Sequence, residues 1–271
     1  MAVSSERLWH AVAAGGGSLL KDALWYVVAA GLIWLGFYVL FRRRLAARKV
    51  VSRPVQRGQI GVEVARSLRS ILVFGLVTGV VVYAALHGYT RLYRRIDDYG
   101  WPWFFISIGI AVVVHDAYFY WTHRLMHHPR LFRRLHRTHH LCTNPTPWAA
   151  YAFGVGEAFV QAGIGPLLVF IIPMHGVAFL AFMGWQLTFN VLGHCGYEIF
   201  PRWFLDTWAG RFLNTPTHHA LHHEKVRGNY GLYFNVWDRL MGTNQRDYAA
   251  RFARATAPAG NETTTVGAEH G

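Results

Sequence analysis

Long apolar runs bounded by arginines or turns constrain this chain more than any other feature. Leu24 to Phe41 is one such run, stopped by Arg42-Arg43-Arg44. No basic leader followed by a small-residue cleavage site is present, so the run reads as a retained first span. Residues 42–70 are rich in Arg and read as a loop or interfacial helix. Ile71 to Tyr89 is a second span, and Trp101 to about His115 a third that carries histidines on into water. Val155 to Ile172 and Gly176 to Gly193 form a hairpin through Pro173-Met174-His175. The fold class expected is all-α: an integral-membrane bundle of four to five spans, with a helical cap at one face.

The Arg-rich flanks orient this bundle. Arginine collects on the cytoplasmic side of spans and beside anionic headgroups. With the 42–70 loop in the cytoplasm, counting spans places 120–150 and 194–250 there too. Arg91, Arg94 and Arg95 run against that count. Charged residues make up 15% of the chain and hydrophobic ones 53%, where a soluble domain carries about a quarter charged. The formal charge of +13 therefore belongs to membrane flanks. No folded basic recognition module is visible, so nucleic acid is excluded as a partner. Cys142 and Cys195 form no CxxC and exclude a disulfide scaffold. Three regions follow: 1–100 with the N-terminal spans and basic loop, 101–250 with most of the histidines, and a disordered tail over 251–271. The expected location is a bacterial inner membrane, multi-pass, with the histidines facing the cytoplasm.

Most of the 16 histidines fall in three short boxes. His123 and His127 are spaced i,i+4; His136, His139 and His140 are i, i+3, i+4; His219, His222 and His223 repeat that pattern. Such spacing puts each set on one helix face. Three faces turned inward supply eight imidazoles, enough for two ions, with His194 as a ninth. Packed this closely without metal, the rings would repel when protonated and lack partners when neutral. Imidazole suits iron, zinc and copper. His115, two turns before His123, is a further candidate ligand; His128 and His218 lie outside the faces, and His175 sits at the hairpin turn on the wrong side. Asp116 and Asp238 are candidates to hold imidazole tautomers from behind.

The ordered motifs Asp116-Ala-Tyr-Phe-Tyr-Trp-Thr-His-Arg-Leu-Met-His127, His136-Arg-Thr-His-His140, Asn144-Pro-Thr-Pro147, His194-Cys-Gly-Tyr-Glu198, His219-Ala-Leu-His-His223, Asn229-Tyr-Gly231 and Trp237-Asp-Arg-Leu-Met-Gly-Thr243 resemble the fatty acid hydroxylase/sterol desaturase superfamily of membrane di-iron enzymes over residues 105–245. The resemblance implies that His123, His127, His136, His139, His140, His219, His222 and His223 are ligands, with His194 joining them. Two departures stand out. Asn190, a further candidate ligand, occupies a position where some members carry histidine, and Gly154-Val-Gly-Glu157 replaces a His-Pro-x-Glu segment.

The resemblance further implies two iron ions, with zinc able to replace them in purified protein, and O2 as co-substrate. The activity implied is hydroxylation of an unactivated C–H bond in a fatty acyl, sterol or related lipid, with desaturation as the alternative. No haem, flavin or Rossmann motif is present, so electrons would come from a separate cytochrome- or ferredoxin-type donor with its reductase. Arg124, Arg133, Arg134 and Arg137 offer a basic face for such a donor. A membrane metal transporter is the non-enzyme alternative; it would need ligands near the bilayer midplane and an exit opposite.

Overall fold

Backbone amides in hydrocarbon find no water, so apolar runs close their hydrogen bonds internally as helices. The computed structural model, which describes residues 5–258, is helical wherever the sequence is apolar. Four helices are long and apolar enough to cross a membrane. They are α1 (Ser5–Trp34, continued by a π-helical stretch Leu35–Leu40), α2 (Gln59–Leu86), α3 (Gly100–Met126) and α8 (Gly176–Gly193). Between α3 and α8 lie the short α4 (Pro129–Leu135), α5 (Arg137–His140), α6 (Val155–Ala162) and α7 (Ile164–Ile171). After α8 come α9 (Trp208–Phe212), α10 (Pro216–Lys225), α11 (Val236–Leu240) and α12 (Tyr248–Ala255).

Both N-terminal spans are longer than their hydropathy suggests, for reasons of packing. α1 starts at Ser5 rather than Leu24 because its Ala/Gly-rich first half lies directly on α2. A Cβ added at Gly15 would stand 3.0 Å from the Gly75 carbonyl oxygen and 3.3 Å from Gly79 Cα; small residues permit this backbone approach. α2 starts at Gln59, inside the stretch expected to be a basic loop. Its polar residues there are not solvated: Glu63, Ser67 and Ser70 are buried, and the long Arg side chains reach carbonyls. Arg66 donates to Thr138 O and Arg69 to Phe153 O.

The remaining apolar segment, 155–171, is two short helices rather than one span. Pro166 has no N–H to continue the ladder, and the Tyr118 hydroxyl donates to Val160 O at 2.6 Å beside the break. Two two-residue strands, β1 (Leu92–Tyr93) and β2 (Met174–His175), pair in parallel and tie the 87–99 connector to the hairpin turn. His175 therefore lies at the far end, away from the other boxes, as its position in the hairpin implied. The tail expected to be disordered from residue 251 is helical through Ala255, because Tyr248 and Phe252 pack on Phe204 and Leu221; residues 259–271 fall outside the described residues.

The N-terminal hundred residues brace the histidine half directly. Tyr26 and Ser67 both donate to Trp148 O. Glu63 accepts from Thr146 and Gln59, and Gln59 also donates to Asn144 O. The segment after α1 bridges to the residues following His194, with Val50 N donating to Gly196 O and Glu198 N to Arg48 O.

Candidate metal centre

α3, the α4–α5 turn, the C-terminus of α8 and α10 converge at one end of the bundle, bringing nine histidines together in two groups. His123, His127, His136, His140 and His222 form the first; His139, His194, His219 and His223 the second. Within each group the ligating nitrogens all lie within 4.8 Å of one another. The two are adjacent, with the His140 and His223 rings 4.9 Å apart.

The division follows helical geometry more finely than a shared face. Residues i and i+4 of a box go to one group, and the residue between them goes to the other. His136 and His140 join the first while His139 turns to the second; His219 and His223 join the second while His222 turns to the first. At 3.6 residues per turn, positions i and i+4 fall on either side of a common direction, while i+3 lags enough to face the neighbouring site.

The nitrogens that face inward are Nε2. His123 Nε2 lies 2.9 Å from His136 Nε2, which lies 3.1 Å from His140 Nε2; His222 Nε2 is 3.0 Å from His140 Nε2 and 3.2 Å from His127 Nε2. In the second group His219 Nε2 is 3.1 Å from both His194 and His223 Nε2. The outward Nδ1 atoms meet carbonyl oxygens: Tyr230 O for His123, Gly228 O for His222, Cys142 O for His223 and Asn190 O for His194. A carbonyl accepts only, so Nδ1 carries the proton and Nε2 presents its lone pair. Burial holds the imidazoles of His136, His139, His219, His222 and His223 well below their ordinary pKa, helped by neighbouring rings. Burial likewise lowers His194 to about 4. Where both tautomers are fixed, as for His194 and His223 with Nε2 atoms 3.3 Å apart, neutral acceptors face each other with no proton between them. A cation in each group resolves this, and the all-imidazole donor set fits iron, zinc or copper.

Glu157, which the sequence reading passed over, stands behind the first group. Its Oε1 is 2.8 Å from His136 Nδ1, and both side chains are 1% exposed. The available signal was that glutamate survives in Gly154-Val-Gly-Glu157 although the preceding His-Pro does not.

Asp116 and Asp238 support the site through backbone rather than through a ligand ring. Asp116 accepts from Tyr233 N and Phe234 N. Asp238 accepts from Tyr230 N, Gly231 N and Thr243 Oγ1, and its Oδ2 lies 3.6 Å from His218 Nε2. Together they hold the 230–234 segment whose Tyr230 carbonyl orients His123. A Cβ at Gly231 would come within 2.9 Å of Asp238 Oδ2. His115 lies outside both groups; its Nδ1 meets the Tyr233 hydroxyl at 2.8 Å, with Phe119 and Phe182 against the ring. Asn190 contributes its backbone carbonyl to His194, and its side chain lines the space beside the centre. His128 is exposed, and His218 is buried beside Asn244.

Two cavities approach the histidines. A large one of about 370 Å³ runs among α1, α2, α7 and α8 to His115, Phe119, Asn190 and Leu232. A small one of about 60 Å³ touches His194 and His219 and shares Asn190 and Leu232 with the first.

Four helices long and apolar enough to span a membrane, with two histidine groups at one end that could each hold a metal ion, define a class of membrane proteins, and comparison narrows it. The fatty acid hydroxylase family model matches residues 108–243. A Delta(7)-sterol 5(6)-desaturase of Gibberella zeae is 34% identical over 220 residues, covering 81% of this chain and 64% of that protein. One of Aspergillus fumigatus is 31% identical over 231 residues, covering 78% and 69%. A lathosterol oxidase of Rattus norvegicus is 30% identical over 189 residues, covering 69% and 62%. The chain thus spans about two thirds of the length of these curated relatives. No solved structure matches. The chain belongs to the fatty acid hydroxylase family. These relatives are fungal and mammalian and lend no support to a bacterial inner membrane.

Proposed function

We propose that this chain is a membrane-bound di-iron oxygenase that uses O2 to oxidise an unactivated C–H bond of a lipid, fatty acyl, sterol or related. The observation that carries the reading is the pair of histidine groups, of five and four inward Nε2 atoms, beside a long apolar cavity. Hydroxylation consumes one O2, two electrons and two protons, giving the alcohol and one water. Desaturation takes the same inputs and gives an alkene and two waters; the names of the relatives favour this second outcome.

Irons held by these nitrogens would supply reductive O2 activation and hydrogen abstraction from carbon. The protein's own part is geometric. Backbone carbonyls hold the tautomers of His123, His194, His222 and His223, and Glu157 stands behind His136, so these Nε2 atoms stay acceptors. Phe119 and Phe153, packed on His123 and His139 with ring centroids 4.9 and 5.2 Å apart, keep water from the centre. Asn190 and Leu232, common to both cavities, control which substrate carbon reaches it.

The end of the bundle bearing the histidines also carries Arg42 to Arg44, Arg130, Arg133, Arg134 and Arg137, which supports a cytoplasmic orientation. Arg133, Arg134 and Arg137 are exposed and suit docking of a separate, acidic cytochrome- or ferredoxin-type donor served by a reductase. Metal ligands at one end rather than at mid-depth disfavour a transporter. The test is turnover: iron-loaded protein in lipid discs with O2, a reducing system and extracted lipids should yield products shifted by +16 or −2 mass units. Unchanged acyl and sterol pools would overturn the reading.

A further inference from the structure

The wall of the large cavity is mostly apolar; besides His115, Gln161 and Asn190, its polar lining is one belt. Lys21 and Asp22 of α1 both line it, with Lys21 Nζ 2.9 Å from Asp22 Oδ1. The Lys21 ammonium also sits 5.0 Å from the Trp25 ring centroid. Ser18 Oγ donates to Asp22 Oδ2 at 3.2 Å and reaches Thr78 Oγ1 at 3.5 Å. Across the cavity, Gln186 donates its amide N–H to the Tyr151 hydroxyl at 2.6 Å, and its carbonyl oxygen is of the kind that accepts. The sides are close: one turn beyond Asp22, the Tyr26 ring stacks on Tyr151 with centroids 6.0 Å apart. Burial raises the Tyr151 phenol above its ordinary pKa, and the Asp22 carboxylate adds to the rise.

Depth makes the belt unusual. Thr78 is eight residues, about 12 Å, from the far end of α2, so the pair lies well within the lengths of two candidate spanning helices. Charged side chains there are costly and mark ligand paths. The metal chemistry does not use them, and Leu or Phe would close the same helix contact. The cavity volume of about 370 Å³ falls within the range of about 300–1,000 Å³ usual for small-molecule sites.

The charge balance selects the ligand. A carboxylate would be repelled by Asp22 and an amine by Lys21. A hydroxyl both accepts and donates, so it can take an N–H of Lys21 and give its own proton to Asp22 or to the Gln186 carbonyl. We propose that the Lys21–Asp22–Gln186 belt is a clamp for the hydroxyl of a neutral lipid, making the substrate an otherwise apolar alcohol rather than a free fatty acid. On α8, Gln186 precedes His194 by eight residues, about 12 Å; a clamped lipid presents to the centre a carbon about that far from its hydroxyl. This rests on the lipid-oxidation reading for the fate of that carbon, while binding at the belt does not require turnover.

The test is equilibrium binding of radiolabelled hexadecan-1-ol, hexadecanoate at alkaline pH and hexadecane to the full chain in phosphatidylcholine discs, each corrected for empty discs. The expected result is alcohol bound at least tenfold tighter than either other probe. That preference should vanish in the Lys21→Met/Asp22→Leu double variant and fall severalfold in Gln186→Leu. Equal binding of the three probes by the unaltered chain overturns the clamp. So does a full preference in a double variant of unchanged melting temperature; should that variant not fold, an unchanged preference in Gln186→Leu overturns it. A hydroxyl preference without any lipid oxidation would sink the oxygenase reading and leave the clamp standing. Oxidation without the preference would do the reverse.

Discussion

Replacing Glu157 with glutamine tests how the five-histidine group is held. The side chain keeps its size and an oxygen that can accept from His136 Nδ1, now 2.8 Å from Glu157 Oε1, but loses its charge. His136 is central to the group, in Nε2 contact with His123 at 2.9 Å and His140 at 3.1 Å. A carboxylate behind a ligating imidazole raises its basicity and fixes its ring, and losing one costs about 10–100-fold in metal affinity. That is about 1.4–2.8 kcal/mol. The effect should be local, since the second group has no contact with Glu157. The assay is metal retention against graded chelator, counted by elemental mass spectrometry. Glu157→Gln is read in a His219→Ala background to isolate the five-histidine group, and in a His222→Ala background to isolate the other. A 10–100-fold shift in the first background with less than a twofold shift in the second is expected. Equal shifts in both, or none in either, would refute the argument.

Other perturbations separate ligands from supports. His115→Phe should leave metal content unchanged, because His115 meets Tyr233 and neither group; loss of one metal per chain would place it among the ligands. Asp238→Asn removes charge-assisted bonds to two amides and the Thr243 hydroxyl, each worth about 1.5–3 kcal/mol. It should lower the melting temperature and loosen metal in the five-histidine group through Tyr230 and His123; an unchanged melting temperature would contradict this. Gly75→Val should destabilise the chain by about 1–3 kcal/mol, since a Cβ there meets Leu19 Cβ at 3.1 Å and Gly15 O at 3.2 Å. Metal per folded chain should not change, and chemical denaturation checks both points.

The histidines were legible because chemistry demands them in fixed spacing, and nine candidates converge at one end of the bundle. Their partition was not, because whether His139 or His222 faces the first group or the second depends on how the helices are rotated when packed. The extent of α2 was hidden for a related reason. Glu63, Arg66 and Arg69 look like loop residues, yet Arg66 finds a partner within the second box and Glu63 and Arg69 in the segment following it, so their polarity is satisfied within a helix. The first half of α1 was missed because Ala and Gly carry little hydropathy; what makes them helical is contact with α2. Asp116 and Asp238 were expected behind imidazoles and instead hold backbone amides of 230–234, because hydrogen bonding to backbone leaves no trace in residue spacing.

The proposed centre holds two metals in two unequal imidazole sets. Mössbauer spectra of the full chain, loaded anaerobically with iron-57, test it most directly. Two ferrous sites of equal area are expected, with His222→Ala removing one and His219→Ala the other. A single iron environment in the unaltered chain, or loss of both irons together in each variant, would contradict it.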